Sequence, residues 1–131
     1  MIAQSVRTRL VALGLASNNT LDGSAWVCIV GGLTDKVNAP QIAVMDRAGL
    51  PPQASHGTNR PLRVGLQILV RGAPGSYAAT ALKTQAVFDA LYREPFGDLL
   101  SVEAVNNPIW VGYSQDRDEP TWSINFIAHT E

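Results

Sequence analysis

Between Pro61 and Arg93 the hydrophobic period changes once, and that change dictates a strand, a sharp turn and a helix in immediate succession. Leu62, Val64, Leu66, Ile68 and Val70 alternate with Arg63, Gly65, Gln67 and Arg71, the period of two of a half-buried strand, with Leu69 the one apolar residue on the second face. Gly72, Ala73, Pro74, Gly75 and Ser76 then stop the strand, since proline has no ladder donor and glycine permits turn dihedrals. Ser76 is placed to cap a helix in which Tyr77, Ala81, Thr84, Phe88 and Leu91 form a stripe able to lie on the apolar strand face. The opposite helix face carries Ala79, Leu82, Ala86 and Ala90 beside Lys83 and Glu94. It is either ordinary helix-favouring alanine on a partly exposed surface or a contact between subunits.

The rest of the chain supplies elements to pack around this unit. Ile2, Val6, Leu10 and Leu13 share one face of an N-terminal amphipathic helix for which Gly14 offers a stop. A polar turn region spans residues 16–24. The apolar run 25–33, ended by Gly31 and Gly32, reads as a short strand or a buried helical turn. Residues 41–45 form a second strand candidate after the break at Asn38, Ala39 and Pro40. Residues 49–61, with three prolines, two glycines and almost no apolar periodicity, form a long loop expected to project from the body. After the helix stop at Glu94, Pro95, Phe96 and Gly97, strands are expected at 99–105, 109–114 and 121–129, the last two joined as a hairpin by QDRDEP. The expectation is a single α+β domain over residues 1–131, with a mostly antiparallel sheet of about four to five strands and two helices packed on one face.

Charge and composition narrow the function. A charged fraction of 16% is low beside the roughly one quarter usual for soluble proteins and favours an oligomer. A net charge of −1, with scattered charges, supplies no basic field for holding nucleic acid. No run reaches the roughly 18 apolar residues of a membrane span, and the N-terminus does not read as a signal peptide, so a soluble, unexported protein is expected. The lone Cys28, inside an apolar run, is expected to be a buried thiol and not a catalytic thiolate. His56 and His129 have no Cys or carboxylate at ligand spacing, and Asp116, Asp118 and Glu119 lack the full calcium-loop pattern, so they read as a solvated hairpin tip. Arg63 and Arg71 flank the polar strand face and can be read as phosphate contacts, subunit contacts or ordinary surface arginines. No convergent set of acid, base and nucleophile emerges, and catalysis is not expected.

The whole pattern resembles the tail terminator (minor tail, tail-completion) proteins of long-tailed bacteriophages. The resemblance is carried by the N-terminal helix, by VGGLTDKVNAPQIAVMDRAG, by LRVGLQILVRG followed by SYAATALKTQAVFDAL, and by NPIWVGYSQDRDEPTWSINFIAHT. Its most telling piece is the strand bearing Gln67 and Arg71 that leads through the Gly turn to Tyr77, Ala81 and the helix ending in Leu91. The resemblance implies a virion protein, assembled in the host cytoplasm, whose subunits form a ring, typically a hexamer, at the head-proximal end of the tail tube. Such a ring stops tube polymerisation, joins the tail to head-completion or connector proteins, and lets DNA pass through its centre. It implies no catalysis, cofactor, metal or membrane.

Sites in such a subunit are interfaces. Ala79, Leu82, Lys83 and Ala86 are expected to pack between subunits; Pro52, His56 and Arg60 to contact the tail tube or a neighbour; and Asp116, Arg117 and Asp118 to face another ring or the channel. The alternatives are another neck component, such as a head-tail connector or stopper, and a small-molecule-binding α+β regulatory domain.

Overall fold

The computed structural model of the chain describes residues 2–17, 26–33, 40–47, 62–92, 99–114 and 118–130. Along the chain run α1 (Ile2–Ala12), β1 (Val27–Val30), β2 (Gln41–Arg47), β3 (Leu62–Arg71), α2 (Tyr77–Leu91), β4 (Leu99–Ala104), β5 (Ile109–Tyr113) and β6 (Pro120–Thr130). The strands form one sheet in the order β1-β2-β3-β6-β4, with β5 also on β6. The class is α+β, but the sheet has six strands among the described residues, not four to five, and one pair, β1 with β2, is parallel. The difference lies in short strands: a four-residue apolar run such as Val27–Val30 has too few residues to display a period.

The register of β3 on β6 is unbroken from Leu62↔Thr130 to Arg71↔Thr121. It aligns Leu66 with Phe126 and Ile68 with Ile124, while Ile42 and Val44 of β2 join from the other side opposite Val70 and Ile68. These side chains share one face, are fully buried, and form a single core with Ala3, Val6 and Leu10 of α1 and Val87, Phe88 and Leu91 of α2. Both helices therefore cover the same face, as the alternation in β3 and β6 predicts. Phe88 stacks on Phe126 at 5.5 Å between ring centroids.

β4 and β5 run in the same direction along one edge of β6, as two pieces of one broken edge strand. The chain leaves the ladder between Ala104 and Ile109, where Val105 N–H still donates to Asn125 O at 3.0 Å. Register shifts also fall between Leu99 and Ser101 and between Trp110 and Gly112, whose φ of 130° favours glycine.

Three local expectations shift. Leu13 is 43% exposed, because α1 ends before it in a Schellman turn: Leu15 N–H donates to Leu10 O, Gly14 N–H to Val11 O, and Gly14 has φ 76°. Leu15 takes the place against the core. The buried stripe of α2 is Thr80, Thr84, Val87, Phe88 and Leu91, not one that includes Tyr77 and Ala81. Tyr77 has the right azimuth, about 20° from Thr84 after seven residues, but meets Trp110 and Trp122 at the rim of the sheet and stays 45% exposed. Ser76 is the N-cap residue, yet its hydroxyl donates to Ala73 O at 2.6 Å and makes no side-chain cap bond to the helix. The buried hydroxyls of Thr80 and Thr84 donate back to Ser76 O and Thr80 O, which lets polar side chains sit in an apolar stripe. The start of α1 is closed by Asp46 of β2, whose carboxylate accepts Ala3 N–H at 3.0 Å. The segments 18–25, 48–61 and 93–98, including the expected projecting loop and the helix stop after Arg93, lie outside the described residues.

The β3 to α2 turn requires a glycine by close approach. A Cβ on Gly72 would overlap Thr80 Oγ1 and come within 2.8 Å of Ser76 Oγ. Replacing Gly72 by Ala is expected to cost about 1–3 kcal/mol in urea denaturation, and adding Thr80→Ala to recover part of that loss. A Gly72→Ala protein as stable as wild type would show that the turn has no such contact.

Candidate functional site

The same turn brings together the most distinctive surface of the molecule. Gly72 N–H donates to Pro120 O at 3.0 Å and Gly75 N–H to Asp118 O at 3.2 Å, so the start of α2 is tied to the β5–β6 hairpin. Beneath this junction Arg71 Nε lies 3.4 Å from Glu119 Oε2, both side chains being 9% exposed. Two sequence expectations are corrected here. Arg71 is not a surface arginine, and Glu119 is not part of a solvated tip: each is buried because the hairpin folds over the end of β3, and each provides the other's counter-charge. Asp118 stays exposed with φ 51°, a conformation aspartate tolerates better than most residues. Ser114 closes the hairpin through its N–H to Glu119 O and its hydroxyl, which accepts Glu119 N–H.

Above the junction four aromatic rings meet. Tyr77 stands 5.0 Å edge-on from Trp110 and 6.0 Å from Trp122; Trp110 is 5.3 Å from Trp122 and 5.1 Å from Tyr113. They converge because Trp110 pairs with Trp122 and Tyr113 with Pro120 across the ladder, while the helix delivers Tyr77 from the following layer. These edge-to-face contacts fix the rings, yet Tyr77, Trp110 and Tyr113 remain 37–52% exposed. Trp122 Nε1 is buried without a hydrogen-bond acceptor among the described residues. Along the same edge Val105, Ile109 and Val111 are also exposed, Val111 at 59%. Periodicity along the sequence hides this cluster, since Tyr77, Trp110 and Trp122 come from three elements; the aromatic density of residues 110–122 is its only linear signal.

The expected interface residues of α2 share its outer face, with unequal exposure. Leu82 is 74% exposed, Ala79 is exposed and Ala86 is half-buried. Lys83 is engaged within the chain: its ammonium donates to Leu15 O at 3.0 Å and lies 5.5 Å above the Trp26 ring, and burial lowers its pKa. It thereby ties α2 to the α1–β1 connection. Pro52, His56, Arg60, Asp116 and Arg117 lie outside the described residues, and so does the side chain of His129.

The second face of the sheet mixes half-buried apolar residues, Met45, Leu69 and Ile127, with a small polar group. Gln67 Nε2 and Asn125 Nδ2 both donate to Ser123 Oγ at 3.3 Å. A hollow of about 400 Å³ beside the start of α1 is lined by Ala3, Val30, Gly31, Gly32, Val44, Met45 and Asp46. Its single carboxylate already accepts the helix N–H. Among the described residues no three His, Cys, Asp or Glu side chains gather as metal ligands, and no helix is long and apolar enough to cross a membrane. Neither protein-family models nor curated proteins match this sequence.

Two predictions follow from the buried charges and thiol. Removing one member of a buried ion pair strands the other, so Glu119→Ala is expected to lower stability by about 3 kcal/mol in urea denaturation; a loss under about 1 kcal/mol would mean that water screens the pair. Burial raises the Cys28 thiol from its ordinary value of 9.0 to about 11, with Arg7 opposing the shift. The folded state thus holds this proton more tightly than the unfolded state. Its contribution to stability is complete below pH 9.0 and lost as pH rises towards about 11. The stability difference between wild type and Cys28→Val is expected to be flat below pH 9.0 and to fall above it, and the native thiol to resist a disulfide reagent until the protein unfolds. A difference that stays flat through pH 11 would remove the buried-thiol account.

Proposed function

We propose that this chain is a structural assembly subunit that associates into a ring, with the role its sequence resemblance implies: a tail terminator closing the head-proximal end of a phage tail tube and joining it to the head-completion proteins. The observation that carries the proposal is the open apolar edge. Val105, Ile109, Trp110, Val111 and Tyr113 stand exposed on a short edge segment, with Tyr77 and Leu82 exposed on the adjoining helix. Isolated monomers keep such surfaces small or charged, whereas assembly subunits cover them on association.

Three further features support the same reading. The charged fraction of 16% leaves less surface charge than a solvated monomer uses, and the net charge of −1 suits a channel through which DNA slides. The side chains with catalytic potential in the described core, Arg71, Glu119 and Cys28, are occupied in packing and pairing. The outer face of α2, with Ala79, Leu82 and Ala86, offers a second contact surface in which small side chains admit a neighbouring backbone. A connector or stopper of the same particle would use the same surfaces, and the position of the ring in the particle separates the two.

The experiment has two stages. Light scattering after size-exclusion chromatography is expected to give a closed oligomer for the wild type. Because Leu82 is 74% exposed, Leu82→Glu is expected to leave monomer stability within about 0.5 kcal/mol while dissociating that oligomer. Electron microscopy of the protein mixed with its tail tubes is expected to show rings capping one end and tubes that cease to lengthen. An unchanged oligomer in the variant removes α2 from the interface, and tubes that keep growing without caps sink the terminator role.

A further inference from the structure

The aromatic surface is assembled from elements that the core holds only weakly. Among the described residues β5 contributes none to the core, and Ile109, Trp110, Val111 and Tyr113 are all exposed. The first turn of α2 is open as well: Tyr77, Ala78 and Ala79 are exposed, and the first buried side chain of the helix is Thr80. The places of Tyr77, Trp110 and Tyr113 therefore depend on the ladder to β6 and on the junction where the β5–β6 hairpin meets the β3 to α2 turn.

Glu119 stands at the centre of that junction. Its main chain closes the hairpin, the carbonyl accepting Ser114 N–H at 3.0 Å and the N–H donating to Ser114 Oγ at 3.1 Å, one residue beyond Tyr113. Its side chain meets Arg71 at the end of β3. The next residue, Pro120, accepts Gly72 N–H and is aligned with Tyr113, while Asp118 on the other side accepts Gly75 N–H, two residues before Tyr77. A displacement of Glu119 thus reaches β5, β6 and α2, the three elements that deliver the rings.

We propose that Glu119 is the positioning residue of the aromatic surface: its pairing with Arg71 closes the hairpin on the start of α2 and thereby sets where Tyr77, Trp110, Tyr113 and Trp122 stand. The closure has two states. Buried opposite charges are tolerated as a pair, whereas either one left buried alone is strongly destabilising. An open hairpin hydrates both charges and releases the Gly72 and Gly75 bonds together, so partly open forms are disfavoured. Because β5 has no place in the core, opening leaves the core intact and belongs to the low-stability end of the molecule. The inference rests on the assembly reading above only for the use of the surface. In a ring, association selects closed subunits, and affinity scales with the fraction that is closed.

The test uses the full-length protein and Glu119→Gln, which keeps the length of the side chain and removes the charge opposite Arg71. The near-ultraviolet circular dichroism of the ring cluster, defined as the part that Trp110→Phe removes, is expected to be lost in this variant while the far-ultraviolet spectrum is kept. By amide exchange Gly72 and Gly75 are expected to lose their protection, while Leu66 and Ile68 in the centre of β3 retain theirs. Light scattering on dilution is expected to show association weakened at least about tenfold, in proportion to the closed fraction that remains. Ser114→Ala, which removes the acceptor of Glu119 N–H without stranding a charge, is expected to give a smaller change of the same kind and carries the test if Glu119→Gln does not fold. A Glu119→Gln protein that melts earlier but keeps the cluster spectrum and the Gly72 and Gly75 protection overturns the proposal, since the pair then only stabilises the fold. Loss of the spectrum and protection in a wild type that is monomeric throughout supports the positioning role and removes the ring. The same losses with an undiminished oligomer support the positioning role and take the aromatic surface out of the interface.

Discussion

The unbroken ten-row register between β3 and β6 is the constraint on which the molecule depends. Side chains alternate strictly along both strands, so a slip of one residue would send Leu66, Ile68, Ile124 and Phe126 to the polar face and Gln67, Ser123 and Asn125 into the core. Everything else is hung on this pair. β2 extends it on one side and both helices bury its apolar face, while the free edge of β6 receives β4 and β5. The Arg71–Glu119 pair and the Gly72 N–H bond to Pro120 O fasten the last row, where a ladder would otherwise fray. The same fastening sets the helix entry, because Gly72 passes against Thr80.

How much of this was legible in the sequence depends on how local the determining forces are. The alternation at Leu66, Ile68 and Val70 and at Ile124, Phe126 and Ala128 matches the buried face, since burial on one side of a strand writes a period of two. Gly14 marked the end of α1 because a left-handed residue is needed there. Leu13, Tyr77 and Arg71 were misplaced for a common reason: each has the right local spacing, but its environment is decided by where a neighbouring element stops. The helix ends before Leu13, Tyr77 meets only the rim rings Trp110 and Trp122, and the hairpin folds over Arg71. The parallel pairing of β1 with β2 is likewise a property of the connection and not of four apolar residues.

The aromatic cluster was illegible for a stricter version of the same reason. Tyr77 is 33 residues from Trp110, and only the return of β3 into α2 on the face shared with β5 brings them to 5.0 Å. Of the interface residues expected from the sequence, Leu82 is as open as an interface needs, whereas Lys83 already holds Leu15 O and faces Trp26. An alanine-rich face and a well-placed cation look alike along a helix, and their difference lies in what the adjoining connection offers.

The broken edge strand connects these observations to assembly. A continuous, flat β4–β5 strand would invite a second chain to add as another strand, giving open-ended growth. The break at 105–108 and the irregularity between Trp110 and Gly112 interrupt the edge ladder, beside which Trp110 meets Tyr77 and Tyr113. Edge pairing is thereby disfavoured. In the ring proposed above, contacts made through side chains would fix one rotation between neighbours, whereas an open backbone edge leaves polymerisation without a defined end.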